Sequence, residues 1–331
     1  MPENANFWAG LIRLIEQNDR FVLATHVHAD GDGLGSQIAL RHALTRRGKQ
    51  VRIINTDPPP PNYAFIAPDG LVEIYDPGRH DEWIRGAGAI ILLDNASAKR
   101  FGALQGPITS SPAPKACIDH HPHPDTQWDV MAVDETAAAT GQMVYRLLKA
   151  MDGAIPPEAA EPLYVSIVTD TGNFRFSNTR ADVLTIAADL VASGVSVPRV
   201  YQEVYERNPV AYTRLVGAAL SDMRLECDGR LGYLVITRAM LAACGAENVD
   251  TGDLINHILA IDGARASALF RETPDGGTKV SLRSKGVVDV NAVATKFGGG
   301  GHRNASGITM TAPLPAAMEQ VLPELRRIVA G

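Results

Sequence analysis

Short apolar runs recur along the first part of the chain, and each one ends in polar or turn-forming residues. Four of these runs have the length and the bounds of buried β-strands, and they lie at 21–26, 51–55, 89–94 and 115–119. Helical patterns separate them, as at 36–47, where apolar residues recur along one side of a helix. Because strands alternate with helices, the pattern predicts an α/β domain with a doubly wound parallel sheet.

The pattern changes in the last third of the chain. Three segments there alternate apolar and polar residues with the period of two that strands show, namely 231–236, 266–271 and 278–283. A polar stretch with a proline break precedes them. We therefore predict a larger N-terminal domain over residues 1–190, a connector over 191–215 and a second, smaller α/β domain over 216–331.

Composition places the chain among ordinary globular proteins. With 331 residues it has the length of two domains, each able to bury a core. Hydrophobic residues make up 45% of the chain but form only short runs, well below the roughly 18 apolar residues of a transmembrane helix. The N-terminus lacks the basic leader of a signal peptide. We expect a cytoplasmic protein that does not contact a membrane.

The net charge of −6 is unevenly distributed. Residues 216–331 hold 12 of the 31 Lys+Arg and 12 of the 37 Asp+Glu, which leaves 19 basic and 25 acidic residues in 1–215. An acidic N-terminal half cannot hold a polyanion by bulk attraction, so a phosphate substrate there would need metal ions or a few aimed arginines. Long nucleic acid is therefore a poor candidate substrate.

Carboxylates and histidines follow three of the predicted strands. His26 ends the first and is followed by Asp30 and Asp32, Asp94 ends the third, and Asp119 ends the fourth and is followed by His120 and His121. In an open parallel sheet these strand ends meet at one crevice, where so many carboxylates would repel each other unless cations were bound. Imidazole with carboxylate suits Mn²⁺, Fe²⁺, Zn²⁺ or Mg²⁺. The sequence thus predicts a metal site.

Glycines separate the acids that follow the first strand. Gly31, Gly33 and Gly35 would let a loop turn tightly there. A dinucleotide-binding fingerprint is the rival interpretation of these glycines. It is disfavoured because the spacing is GxGxG rather than GxGxxG, and because Asp30 and Asp32 would repel a pyrophosphate unless metals intervened.

Five segments in order resemble the motifs of one known family. THVHADGDGLGS, LLDNAS, CIDHHPH and VTDTGNFRFSNT resemble the four motifs of the DHH phosphoesterases. GGGGHRNASG at 298–307 resembles the glycine-rich motif of the DHH-associated C-terminal domain. The resemblance covers nearly the whole chain. In its length and in the pairing of its two domains, the chain is most similar to the oligoribonuclease (nanoRNase) and pAp phosphatase group.

The resemblance implies two divalent metal ions, with Mn²⁺ as the expected metal. His26, Asp30 and Asp94 would hold one ion, and Asp32, Asp94, His120 and Asp170 would hold the other, with Asp94 as the bridge. His121 would face the scissile phosphate, and Asp119 would orient a neighbouring histidine. Asp170 follows from the resemblance alone, because the segment LYVSIVTD that leads to it fits either a strand or a helix.

A second group of candidate residues lies in the C-terminal part. The run Gly298 to Gly301 offers backbone N–H groups that could hold a second phosphate, and His302 and Arg303 follow it. Arg283, at the end of a strand-like segment, matches the substrate-binding arginine of the family. We expect the substrate-binding residues to be Arg283, Gly299, Gly300, Gly301, His302 and Arg303.

The resemblance implies a phosphoesterase that hydrolyses short RNA or DNA oligonucleotides to mononucleotides and 3′-phosphoadenosine 5′-phosphate (pAp) to AMP. The alternatives are a linear or cyclic dinucleotide phosphodiesterase, a pyrophosphate or polyphosphate hydrolase and, from a different class, a nucleotide-binding sensor without catalysis. A metal-dependent turnover assay separates the enzymes from the sensor. The sequence leaves substrate length, cleavage polarity, the physiological metal and the oligomeric state open, with a homodimer as one option.

Overall fold

A computed structural model describes residues 5–122 and 127–330 of the chain. The chain divides into two compact units, Met1–Arg207 and Asn208–Gly331. The segment predicted to be the connector, 191–215, is largely helical. It contains the helix Val197–Tyr205 and the start of the helix Val210–Ser221.

The first unit is built on a parallel sheet of six strands. They are β1 (Arg20–Ala24), β2 (Gln50–Asn55), β3 (Val72–Ile74), β4 (Ala89–Leu93), β5 (Lys115–Asp119) and β6 (Val130–Val133). Their order is β3-β2-β1-β4-β5-β6 with every pair parallel, which confirms the doubly wound sheet. The four strands predicted from apolar runs are confirmed. The two edge strands, β3 and β6, were not predicted, because they are short and partly exposed.

Helices cover both faces of this sheet. They are α1 (Ala5–Gln17), α2 (Gly31–Arg46), α3 (Pro77–Arg85), α4 (Gln105–Ser110), α5 (Thr140–Asp152), α6 (Pro157–Asp170), α7 (Ala181–Ala192) and α8 (Val197–Tyr205). Alternate residues of β1 face opposite sides, so Phe21 and Leu23 pack with α1, α2, α5, α6 and α7, while Val22 and Ala24 pack with α3 and α4. Burial on both faces explains why the strands are continuous apolar runs.

The glycines near the start of α2 allow close helix packing. A side chain at Gly35 would collide with the Pro162 carbonyl on α6, and one at Gly31 would lie 2.6 Å from the Thr169 side chain. A Cβ at Gly33 would lie 2.6 Å from Thr25 Oγ1. All three glycines lie inside α2 and have ordinary negative φ values. The predicted tight turn is therefore wrong, and contact with neighbouring elements explains these glycines instead.

The second unit contains a mixed sheet of six strands. They are β7 (Arg224–Glu226), β8 (Leu231–Ile236), β9 (Ala266–Glu272), β10 (Thr278–Ser284), β11 (Gly300–His302) and β12 (Ala305–Met310). Their order is β11-β12-β10-β9-β8-β7, and only β8 and β9 are parallel. The helices are α9 (Val210–Ser221), α10 (Arg238–Cys244), α11 (Ile255–Leu259), α12 (Asn291–Lys296) and α13 (Leu314–Ala330). The three predicted strands of this α/β unit are confirmed.

Each face of the second sheet carries its own apolar core. Val280 and Leu282 of β10 pack with α12 and α13 on one face, and Leu269 of β9 packs with α9, α10 and α11 on the other. Within residues 5–122 and 127–330, no single helix is long and apolar enough to span a membrane. One pair of helices, α7 and α8, reaches that length and apolar content when the two are taken together, but they are bent by 109° relative to each other.

Candidate metal centre

The polar cluster of the first unit lies where the strand order reverses. Chain connections leave β1 and β4 in opposite directions, and ligands of doubly wound sheets bind at the crevice this creates. His26 lies two residues beyond β1, Asp94 directly follows β4, and Asp119 is the last residue of β5. The sheet therefore brings the predicted acids and histidines to one edge.

Asp94 lies at the centre of this cluster. Its Oδ2 is 3.3 Å from His26 Nε2, and its Oδ1 is 3.6 Å from His120 Nε2. The two oxygens of one buried carboxylate thus face two different histidines. The backbone of Asp94 is left-handed, with φ of 58°, a conformation that costs energy in a residue other than glycine and is common at functional sites.

His26, Asp30 and Asp94 form the first candidate ligand group, with ligand atoms within 4.8 Å of one another. Asp30 caps α2, and its Oδ1 accepts the amides of Asp32 and Gly33 at 3.0 and 3.2 Å. Its Oδ2 lies 3.9 Å from His26 Nε2. Because His26 Nδ1 lies 2.7 Å from the carbonyl of Val27, which can only accept, the proton belongs on Nδ1 and Nε2 carries the lone pair.

Asp32, His120 and Asp170 form the second group, again within 4.8 Å. His120 Nε2 lies 3.4 Å from Asp32 Oδ2 and 3.5 Å from Asp170 Oδ2. Its Nδ1 lies 3.1 Å from the carbonyl of Ala137, so Nε2 is again the ligand nitrogen. Asp170 is the last residue of α6, and Asp32 lies in the first turn of α2 rather than on the predicted loop.

Three residues that the sequence did not single out hold Asp32 and Asp94 in place. The amides of Thr140 and Gly141, at the start of α5, donate to Asp32 at 2.7 and 3.0 Å. The Thr140 hydroxyl donates to Asp94 Oδ1 at 3.1 Å, and the Ser166 hydroxyl of α6 donates to Asp32. Thr140 is the first residue of α5 and does not cap it, so no helix-start signal in the sequence indicates its contact with Asp94.

Asp119 orients His121. Its Oδ1 lies 2.8 Å from His121 Nδ1 and also accepts the amides of His120 and His121. Its Oδ2 accepts the amide of Ala96 at 2.7 Å. His121 is 23% exposed, whereas Asp119 is buried, so the histidine is the member of this pair that solvent reaches. The last histidine of the CIDHHPH motif, His123, lies outside the described residues.

Burial and crowding set the protonation of the cluster. Burial, together with the charges of Asp32 and Asp30, raises the pKa of Asp94 well above its ordinary value. Burial lowers the pKa of His120, but the carboxylates of Asp170, Asp32 and Asp94 outweigh it and raise the value to about 9. Negative charge is therefore in excess. Hard carboxylate oxygens with imidazole nitrogens are donors that fit divalent ions.

Two of the candidate residues in the second unit lie in one row of its sheet. Arg283 of β10 pairs with Ala305 of β12, and Ala305 pairs with His302 of β11. Arg303 is exposed, and its guanidinium donates to the Val287 carbonyl at 2.7 Å. This contact ties Arg303 to a neighbouring loop.

The glycine run differs from the predicted phosphate loop. The amides of Gly298 and Gly299 donate to the carbonyls of Thr295 and Ala294 at the end of α12, at 3.1 and 2.9 Å. Gly300 and Gly301 belong to β11, where a side chain at Gly301 would collide with the Ala305 carbonyl. The expectation that Gly299 offers a free amide is therefore wrong, because that amide already has a partner.

Known proteins match both units. Residues 20–167 match the DHH family, N-terminal domain, and residues 235–331 match the DHHA1 domain. A Thermus thermophilus protein named bifunctional oligoribonuclease and PAP phosphatase NrnA is 34% identical over 92% of this chain and 88% of its own length. The Bacillus subtilis protein of the same name is 31% identical over 91% of this chain and 92% of its own length.

Solved structures agree with these matches. An exopolyphosphatase-related protein from Bacteroides fragilis has a TM-score of 0.92 at 27% identity and covers 99% of this chain and 98% of its own. RecJ from Thermus thermophilus, solved with Mn²⁺, shares the fold with a TM-score of 0.59 at 14% identity over 99% of this chain and 55% of its own. The chain therefore belongs to the DHH family of phosphoesterases and is a metal-dependent hydrolase.

Proposed function

We propose that the protein hydrolyses short oligonucleotides to mononucleotides and pAp to AMP, with two Mn²⁺ ions as cofactors. The observation that carries this proposal is the position of Asp94, whose two oxygens face two separate groups of ligands. The names of the Thermus thermophilus and Bacillus subtilis relatives supply the substrate class. The mixed imidazole and carboxylate donors suit Mn²⁺.

In this proposal His26, Asp30 and Asp94 hold one ion, and Asp32, Asp94, His120 and Asp170 hold the other. When bound, such a pair of ions activates water and neutralises charge on the phosphoryl oxygens during in-line displacement. His121 faces the scissile phosphate, and Asp119 fixes its ring through the bond to Nδ1. Burial opposes the ionisation of Asp119, but the hydrogen bond from His121 outweighs it and lowers the pKa of Asp119, which keeps this partner charged.

The second unit, in the same proposal, is the DHH-associated substrate-binding domain. Arg283 and His302 lie in one row of its sheet and would hold a phosphate that is not being cleaved. A side chain at Gly300 would meet open space, so the substrate has room to approach the strand backbone there. Gly301 continues the same strand, and Arg303 adds positive charge nearby. In this proposal the first unit carries out the hydrolysis, and the second unit binds the rest of the substrate.

We also propose a homodimer in the cytoplasm. Apolar side chains at Leu184, Val191, Val197 and Tyr201 are 40–50% exposed on α7 and α8, as a subunit contact would require. The three cysteines are unpaired, which suits a reducing compartment. Light scattering after gel filtration tests the dimer, since a monomeric mass at micromolar concentration would exclude it.

The substrate is tested with a panel of pAp, pApA and RNAs of two to five residues, assayed with Mn²⁺. Polyphosphate belongs in the panel because the Bacteroides fragilis protein is described as exopolyphosphatase-related. We expect release of mononucleotides and of AMP, with little phosphate from polyphosphate. Preference for polyphosphate would overturn the nucleotide proposal. Absent turnover on every substrate would favour a binding protein, and turnover that needs no metal would contradict the metal assignment.

A further inference from the structure

One face of the second sheet is polar along β10. Val280 and Leu282 point into the core beneath α12 and α13. The alternate residues Lys279, Ser281 and Arg283 lie on the opposite face, because successive side chains of a strand alternate. Lys279 is exposed, and Ser281 and Arg283 are partly exposed. The helices α9, α10 and α11 cover this face over β9. The exposure of Lys279, Ser281 and Arg283 leaves it open to a substrate along β10.

Strand register arranges this face in three rows. The first row contains His302, Ala305, Arg283 and Ser267. The middle row contains Gly300, Gly307, Ser281 and Leu269, which are small on three of the four strands. The third row contains Thr309, Lys279 and Arg271. Cations thus lie at both ends of the face, with small residues between them.

The third row places Lys279 directly opposite Arg271. Like charges directly opposite each other on neighbouring strands are destabilising, so this pair has no stabilising role of its own. In the described part of the chain Lys279 makes no ion pair, and Arg271 donates only to the Thr251 hydroxyl and the Glu247 carbonyl, at 3.4 and 3.5 Å. An anion bound between the two cations would remove the repulsion.

A small recess adjoins this pair of cations. It is lined by Asp250, Thr251, Gly252, Leu269, Arg271, Lys279 and Ser281. Asp250 is its one carboxylate, and Oδ1 of Asp250 accepts the amide of Gly252 at 2.9 Å. Two cations against one anion leave the recess with a net positive charge. A phosphodiester, with a single negative charge, is the ligand that balances it.

Distance separates the third row from the first. Lys279 is four residues from Arg283, or about 14 Å along an extended strand, so one phosphate cannot contact both. A dinucleotide and pAp each carry at most two phosphates, of which one is cleaved and one would lie at Arg283. We propose that Lys279 and Arg271 form a subsite for a further backbone phosphate, which only RNA of three or more residues supplies. The inference rests on the proposed function.

Lys279→Ala tests this subsite in the full-length protein with Mn²⁺. We expect kcat/KM for a five-residue RNA to fall about five- to twentyfold, and that for pApA to fall by less than about threefold. The salt dependence of kcat/KM for the longer RNA should weaken, with a slope reduced by about 0.7. Lys296→Ala is the matched control. Lys296 lies on α12, which packs against the other face of the sheet, and its Nζ is 2.6 Å from a carboxylate oxygen of Glu324.

Equal losses for both RNA lengths, or no loss for either, would overturn the subsite while leaving the proposed function intact. If the wild-type protein cleaves no RNA, the proposed function fails instead. The subsite is then still tested by binding of a fluorescent five-residue RNA in excess EDTA. Binding weakened by Lys279→Ala and not by Lys296→Ala supports the subsite, and equal binding by all three proteins refutes it.

Discussion

The metal centre of the first unit and the polar face of the second unit differ in how their side chains are held. Asp32, Asp94 and His120 are almost fully buried, and each has hydrogen-bond partners from other elements. Arg283 is partly exposed and Lys279 is exposed, and both lie on one strand. The first region holds its side chains in fixed positions, whereas the second presents charged side chains to a ligand bound on the sheet face.

This difference has an energetic consequence. In the buried cluster, removal of one group leaves its partners desolvated and unpaired, which is costly and shifts the remaining ligands. On the open face, water replaces a lost contact, so a substitution affects only the ligand. Substitutions in the metal centre should therefore remove activity on every substrate, whereas those on the sheet face should act in proportion to how much of the substrate reaches it.

The largest effect is expected for Asp94→Asn, because Asp94 faces both groups of ligands. We expect kcat/KM to fall by more than about a thousandfold on every substrate, with metal content reduced at both sites. Asp69→Asn, a substitution of an exposed aspartate in the same unit, is the matched control. Wild-type turnover with full metal content in Asp94→Asn would show that the ligand assignment is incorrect.

A smaller and substrate-dependent effect is expected for Arg283→Ala and His302→Ala. Loss of a charge-assisted phosphate contact should lower kcat/KM on a dinucleotide by roughly ten- to a thousandfold. Hydrolysis of bis-p-nitrophenyl phosphate, a small activated ester, should change far less, and Arg238→Ala serves as the control on an exposed arginine. Equal losses on both substrates with unchanged metal content would place these residues in the chemical step.

The smallest effect concerns Glu73, a partly buried acid that has cationic partners rather than acidic neighbours. Hydrogen bonds from Arg52, and one from His80, lower the pKa of Glu73 below 4.5, although burial opposes this. Its stabilising contribution is therefore complete above pH 4.5 and is lost as the pH falls through the folded-state pKa. Glu73→Gln should lower the free energy of unfolding by about 1 kcal/mol at pH 7. The difference should shrink at pH 3 in urea titrations, and a constant difference would contradict the ion-pair assignment.

The sequence predicted the strand ends well, because apolar runs that end in acids or histidines carry both the fold and the chemistry. His26, Asp94 and His120 could be located in this way. Asp170 required the family resemblance, since the end of a buried helix has no distinctive local pattern. Thr140 and Ser166 were missed because they reach Asp32 only through the tertiary packing of α5 and α6.

The glycines show where reasoning from local sequence failed. Gly31, Gly33 and Gly35 suggested a turn, but their need for glycine comes from residues distant in the chain, such as Pro162 and Thr169. Gly299 suggested a free amide, but the end of α12 uses that amide. Whether a glycine serves conformation, packing or ligand binding depends on its neighbours in space, which no window of sequence contains.

The most direct test of the two-metal account is a Mn²⁺ titration of chelator-treated protein, with bound metal and dinucleotide turnover measured on the same samples. We expect two ions per chain, activity that appears as the sites fill, and far lower turnover with Ca²⁺, because Ca²⁺ prefers more oxygen ligands at longer distances. Asp94→Asn should bind neither ion at the wild-type affinity. Full turnover in excess EDTA, by protein shown to retain no metal, would contradict the account.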